Sequence, residues 1–342
     1  MFVKGGTIIM QNAPSLKSFA AAVGKKEGEG PLSEYFDYVG DDVTFGASEQ
    51  GRESWEKSEC LLQQKAFSLA LGKGAISETD VSIVFAGDLL NQCIASGYSV
   101  RDYDIPFVGL YGACSTMAES LALAAVFIDN GLGENAVAVT SSHFCSAERQ
   151  FRFPVNYGGQ RAPTSQWTAT GAGCAIVAPK LQSGPCIRAV TFGKVKDCGI
   201  KDANNMGAAM AGAAYSTIAT HLENAGKTID DFDFIVTGDL GLVGSSVLYE
   251  LFDKDKINLK KKHKDCGLML YDLKKQDVHA GGSGCGCGAS VLCGYFLREI
   301  SAGRISDILF VATGALMSPT IIQQGESIPG VAHAVHIGIN NF

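Results

Sequence analysis

Charge is scarce in this sequence. Asp, Glu, Lys and Arg make up 18% of its 342 residues, against about 25% in an average chain. That excludes a disordered protein, which needs high charge and few apolar residues. Positive charge is scarcer still: 28 Lys and Arg against 35 Asp and Glu leave −7. Nucleic-acid binding driven by bulk charge is thereby excluded. Long apolar runs are missing. The longest, Leu121–Ile128, is closed by Glu119 and Asp129, far short of the ~20 residues that span a bilayer. Any membrane association is expected to run through a partner. Residues 1–10 hold one Lys and alternate around Gly5 and Gly6, unlike a secretory leader. Cys285 and Cys287 lack a second pair at zinc-finger spacing, so no metal site is expected. No EF-hand-like loop is found that would hold calcium alone.

Glycine, in contrast, is abundant. There are 41 glycines, well above the usual ~7%, which suits elements that approach closely. The eleven cysteines run from Cys60 to Cys293. An odd number without a leader reads as reduced thiols in a cytoplasm-like compartment. At ~150 residues per domain the length gives two domains or one doubled domain. Surface scaling buries ~75% of such a chain, enough for a sizeable core.

Helix and strand signals alternate. Trp55–Leu71 and Ser115–Asn130 read as helices, the second apolar nearly all round and closed by Gly131. Val81–Ala86, Pro106–Tyr111 and Ala136–Thr140 read as short buried strands. Such alternation predicts a mainly parallel sheet covered by helices. A repeat runs through it. Residues 80–89, ending Gly87-Asp88-Leu89, reappear as residues 231–240, ending Gly238-Asp239-Leu240. Ile128–Gly131 and the strand after it reappear as Ile300–Gly303 and Ile308–Ala312. On that offset Gly112-Ala113-Cys114 faces Gly284-Cys285-Gly286. The larger second offset implies an insertion between Leu240 and Asp277, with the Lys-rich stretch Asp253–Asp265. The expected organisation is therefore two similar halves, 1–190 and 191–342. Their ligand site is expected where strand ends and helix N-termini of both halves meet. Cys114, Asp239 and the Gly281–Gly288 loop should converge there.

Cys114 stands between a strand and a helix, the arrangement of a nucleophile elbow. A helix N-terminus favours a thiolate or a bound anion; the alternative is a buried small hydrophobe. His279 borders the Gly-rich turn that contains Gly282, and His143 follows Ser141 and Ser142 at a strand end. Both are candidate site residues. His221, mid-helix, and His263, in the Lys run, read as surface residues. Residues 147–167 interleave Arg149, Arg152 and Arg161 with Phe151, Phe153, Tyr157 and Trp167. Arg forks and aromatic faces would suit a planar aromatic carboxylate. Ion pairing along a loop, or a subunit interface, would equally use them.

Together these residues resemble the thiolase superfamily. The likeness lies in the Gly112-Ala113-Cys114-Ser115-Thr116 elbow, in Thr170–Ala175 and in Thr313–Ser318. Longer segments (Gly109–Thr116, Thr140–His143, Gln150–Pro154, Tyr157–Arg161 and Gln324–Gly330) resemble its branch from spore-forming bacteria across essentially the whole chain. The resemblance implies a five-layer αβαβα fold and a homodimer. It implies binding of dipicolinic acid and its calcium chelate, and support of their uptake into the developing spore. Calcium would come only with the ligand, with no other cofactor. Membrane proteins of the same system would be partners, with the chain on the cytoplasmic face of the spore inner membrane. The acyl-condensing members pair the elbow Cys with a His at the end of the first strand of the second half, where this chain has Asp239. They also carry a Cys where Thr313-Gly314-Ala315-Leu316 has none. Catalysis is accordingly not expected, and Cys114 reads as a vestigial nucleophile. The expected ligand-binding residues are Cys114, Ser141, Ser142, His143, Arg149, Asp239, His279 and Gly282. A Cys-dependent acyl-CoA or acyl-carrier condensing enzyme is the alternative, and a scaffold for a membrane partner is the third reading.

Overall fold

The computed structural model describes residues 2–40, 54–151 and 161–340. Two sets of elements follow one another. The first comprises β1 (Ser15–Gly24), α1 (Trp55–Gly74), β2 (Ile83–Gly87), β3 (Phe107–Leu110), α2 (Thr116–Asp129), β4 (Ala136–Ser142), α3 (Phe144–Phe151) and β5 (Gly171–Ala178). The second comprises β6 (Gly184–Phe192), α4 (Met206–Ala225), β7 (Phe234–Thr237), α5 (Gly241–Lys254), β8 (His263–Asp265), α6 (Cys285–Val291), β9 (Asp307–Ala315) and β10 (Gly330–Asn340). After α6 the helix continues through a π-helical stretch, Leu292–Phe296, to Leu297–Ser301.

Strand order reveals the duplication. The strands lie in the order β8-β7-β9-β10-β6-β1-β5-β4-β2-β3. Read outward from the middle, each set has its first strand, last strand, fourth, second and third. Pairing repeats too. β1–β5 and β5–β4 are antiparallel, as are β6–β10 and β10–β9; the outer pairs β4–β2, β2–β3, β9–β7 and β7–β8 are parallel. The two sets meet at one pair, Cys186 opposite Ser15. The division expected at 190/191 thus falls inside β6, which opens the second set.

α2 packs on strands of both sets, and α6 with its continuation does the same. They form the middle layer. A helix can lie there only if it is apolar all round, and Met117, Ala118, Leu121, Ala122, Ala124 and Ala125 are fully buried. α1 covers the outer face of the first set and α4 that of the second. The result is the αβαβα stack expected.

Five expectations need correction. The sheet is not mainly parallel: its longest ladders, β1–β5, β5–β4, β6–β10 and β10–β9, are antiparallel, and only the outer pairs are parallel. The strand expected at Pro106–Tyr111 is not buried: β3 lies at the edge of the sheet with Phe107, Val108 and Gly109 exposed. The segment between Leu240 and Asp277 is not wholly an insertion. Its α5 and β8 match the helix Ile94–Val100 and β3 of the first half, and the added part begins after β8. His221 is fully buried, with Nδ1 against Thr191 Oγ1 at 2.9 Å. His263 is buried between Thr237 Oγ1 (2.7 Å) and the Tyr249 hydroxyl (2.8 Å). Neither is a surface residue. Burial lowers their pKa, to about 3 for His221 and about 4 for His263, so both rings are neutral at physiological pH.

Candidate functional site

The elbow forms where β3 ends. Ala113 has φ +52°, and a single turn, Ala113–Ser115, leads into α2. The Gly112 carbonyl accepts from both the Ser115 amide (3.2 Å) and its hydroxyl (2.6 Å). Gly314 of β9 closes on this turn so tightly that a Cβ there would sit 2.5 Å from the Gly112 oxygen. Cys114 is thereby held almost wholly buried, between the two halves.

Asp239 reaches it from the second half. It follows β7, the second strand of its set rather than the first. Its carboxylate accepts from the Gly284 amide (2.9 Å), the Ser283 hydroxyl (3.3 Å) and the Thr313 hydroxyl (2.9 Å). The Cys114 thiol faces this carboxylate closely enough for each group to shift the other's pKa. Burial pushes the Asp239 pKa up to about 7, against the pull of these donors. Burial, and then the charge of Asp239, raises the Cys114 thiol well above its ordinary value. A helix N-terminus alone would favour the thiolate, but here desolvation and a facing carboxylate outweigh it. Cys114, Asp239 and the turn at Ser283-Gly284 therefore converge.

Above the thiol lies a small chamber of about 40 Å³, lined by Cys114, Ala147, Glu148, Thr168, Met206 and Ser283 among others. It has room for about three waters. It adjoins a cleft of about 460 Å³ that shares Leu89, Ala113, Phe151, Ala315 and Met317 with it, a volume in the range of small-ligand sites. Tyr111, Asp197, Ser318, Glu326 and Ser327 line the outer part. Among the described residues, no Lys, Arg or His lines either space.

The other expected site residues lie elsewhere. Ser141 and Ser142 are buried as braces: the Ser141 hydroxyl donates to Glu59 and accepts from Gln63, and that of Ser142 donates to the Ala169 carbonyl. His143 is fully buried, with Nδ1 accepting from the Cys145 amide. Arg149 points outward from α3, paired with Glu56 and stacked over Trp55. Arg161 instead stacks over Trp167, so these two arginines do not form one cluster. Arg152, Phe153 and Tyr157 lie outside the described residues. His279, at φ +52°, is half-buried beside Asp277, and neither it nor Gly282 lines the chamber. The Gly282 carbonyl accepts from Gln166.

Sequence reading missed Glu148, on α3, whose Oε1 accepts from Thr168 Oγ1 at 3.1 Å at the chamber wall. It also missed a second buried acidic pair. Asp88 accepts from the Ser96 amide and hydroxyl (2.8 and 2.7 Å), and Glu59 accepts from Ser141 and Ser146. Burial raises both carboxyl pKa values, and Asp88 raises that of Glu59 further. Asp88 could have been found, since it ends the first copy of the Gly-Asp-Leu repeat.

A five-layer duplicated α/β arrangement with a cysteine elbow between its halves is a thiolase-like fold. Solved structures with this fold include cerulenin-bound OleA of Xanthomonas campestris, at TM-score 0.61 and 14% identity over 97% of this chain and 100% of that one. The 3-oxoacyl-[acyl-carrier-protein] synthase III of Aquifex aeolicus gives TM-score 0.54 and 14% identity over 97% and 100%. The pattern of the stage V sporulation protein AD family matches residues 5–338. Stage V sporulation protein AD of Bacillus subtilis is 42% identical over 329 residues, covering 96% of this chain and 95% of its own. The chain belongs to the stage V sporulation protein AD family, and that membership implicates it in sporulation. No helix among the described residues is long and apolar enough to cross a membrane.

Proposed function

We propose that this chain binds dipicolinic acid as its calcium chelate in the cleft beside Cys114, without catalysis, and supports its uptake into the developing spore. The observation that carries the reading is the contact of Cys114 with Asp239. A carboxylate stands where the acyl-condensing proteins that the chain resembles carry a His; it offers no positive charge to stabilise a thiolate, and its own charge raises the thiol pKa. The space around it nevertheless remains open. The outer cleft has the volume for a pyridine dicarboxylate, whereas the inner chamber admits no more than one edge of it. The described lining offers carboxylates and hydroxyls and no cation. That favours the chelate, in which calcium offsets the ligand's two charges and accepts further oxygen ligands, over the bare dianion.

A homodimer is part of this reading. β3 is an outer edge strand whose Phe107 and Val108 are each 38% exposed, beside exposed Tyr98 and Tyr111. An unprotected apolar edge invites pairing with the same strand of a second copy. Membrane proteins of the same sporulation system are the proposed further partners, with the chain peripheral to the spore inner membrane on its cytoplasmic side. Nucleic acid is not a proposed partner.

Calorimetric titration of dipicolinate, with and without calcium, against wild type and Cys114→Ala tests the reading. Binding in calcium that weakens in the variant supports it; unchanged affinity in the variant removes the elbow from the site. The condensing-enzyme reading makes a separate demand: incubation with acetyl-CoA must leave an acyl mass on Cys114, with turnover.

A further inference from the structure

The two outer edges of the sheet differ in chemistry. At one end β3 presents Phe107 and Val108. At the other, β8 and the turns before it present lysine. Residues 254–264 hold six lysines and a single acid, Asp255, in a chain of net charge −7. Lys254, Lys256, Lys260, Lys261 and Lys264 are exposed, and among the described residues none of them is ion-paired. The ammonium of Lys260 lies over the Tyr249 ring and that of Lys264 over the Phe234 ring, and exposed Asp253 borders the stretch on its N-terminal side. Lys262 donates to the Phe232 carbonyl. Asp255 is engaged by the Tyr215 hydroxyl at 2.6 Å, and Asp265 is buried.

We propose that this edge docks directly on an anionic lipid bilayer. The residue type points to that partner. An ammonium is a compact point charge, suited to a diffuse lattice of phosphates. An acidic protein segment would be read by the planar forks of arginine, and residues 254–264 contain none. A second copy is disfavoured because strand pairing is suppressed by edge lysines and β8 has only three residues. The remainder of the chain is more acidic than the whole, so the charge separation orients this edge toward an anionic surface. β8 pairs in register with β7, Thr237 opposite Asp265, and Asp239 follows β7. Docking here puts the ligand cleft's second half next to the bilayer. The inference does not rest on the identity of the ligand.

Co-sedimentation with phosphatidylcholine vesicles, with and without phosphatidylglycerol, tests it on the full chain. Binding is expected only with the anionic lipid and should fall as salt screens the contact. The triple variant Lys260→Glu, Lys261→Glu and Lys264→Glu should bind at least about a hundredfold more weakly, about fivefold for each lysine lost and more for each carboxylate gained. A control with the same charge change, Lys4→Glu, Lys17→Glu and Lys180→Glu, should bind nearly as wild type. Replacement of the first three lysines by Gln, with an unchanged melting temperature, separates binding from folding. Equal losses in the two Glu triples, binding to neutral vesicles, or binding to an acidic peptide with none to vesicles would each overturn the proposal.

Discussion

Asp88 and Asp239 occupy matching places in the two halves, each just after a strand in a Gly-Asp-Leu turn, but they face different partners. Asp239 faces the elbow thiol of Cys114 and ties Gly284 and Thr313 around it. Asp88 turns to Ser96 and lies near Glu59. One aspartate of the repeat therefore faces the elbow thiol and the other a buried brace behind it, while Leu89 of the first copy lines the cleft.

The first prediction concerns the thiol. With its pKa raised by burial and by Asp239, Cys114 is expected to stay unmodified by iodoacetamide at pH 7 while exposed Cys198 is alkylated. Peptide mass mapping over time checks this. Alkylation of Cys114 as fast as that of Cys198 would show that the thiolate is accessible after all.

The second concerns pH. Asp239 rises from 3.8 to about 7 on folding, so the folded state holds a proton that the unfolded state releases. The stability linked to that proton is complete below pH 3.8 and is lost as pH rises to 7. The loss is about 1.4 kcal/mol per pH unit over that window. Asp239→Asn cannot titrate. Denaturant unfolding at a series of pH values should show the gap between wild type and variant moving in the variant's favour by about 3 kcal/mol from pH 4 to 7. The slope, and not the constant offset, is the readout. His263 acts in the opposite sense. Its pKa falls from 6.5 to about 4 on folding, so its stabilising contribution is present above pH 6.5 and is lost as pH falls toward 4.

The third separates the cleft from its surroundings. Met317→Trp should fill the junction of chamber and cleft and reduce dipicolinate affinity at least ~10-fold, about 1.4 kcal/mol, with little change in melting temperature. Arg149→Ala should leave affinity unchanged, because its guanidinium is engaged with Glu56 and Trp55 outside the cleft. Calorimetry on both variants decides between this placement and a ligand held by Arg149.

The fourth concerns the elbow. Gly314→Ala would bring a Cβ to 2.5 Å from the Gly112 carbonyl. The backbone must shift at the turn carrying Cys114, at a cost of about 1–3 kcal/mol, and ligand affinity should fall with stability. Thermal melts and titration should move together.

The fifth tests association. Val108→Lys should convert a dimer to a monomer in analytical ultracentrifugation without lowering the melting temperature of the monomer, since Val108 is 38% exposed and charge protects an edge.

Much of the architecture was legible because it rests on short-range pattern. The apolar circumference of α2 marked it as buried, and the repeated Gly-Asp-Leu turns marked the duplication. Side-chain direction was not legible. Arg149 and Glu148 are neighbours on α3, yet one faces solvent and the other the chamber; one helical step of about 100° decides it. His221 and His263 read as surface residues, but a Thr hydroxyl from an adjacent element meets one ring nitrogen of each in the core. Such partners are 30 and 26 residues away, and no local reading finds them.

The shared middle layer has a consequence for how the molecule comes apart. α2 belongs by sequence to the first half but packs on strands of both, as does α6 with its continuation. Removing either half would leave an apolar helix facing water along its whole length. Neither half is then a separable folding unit, and heat or denaturant should melt the molecule in a single transition, the duplication having been locked in by the helices it buried.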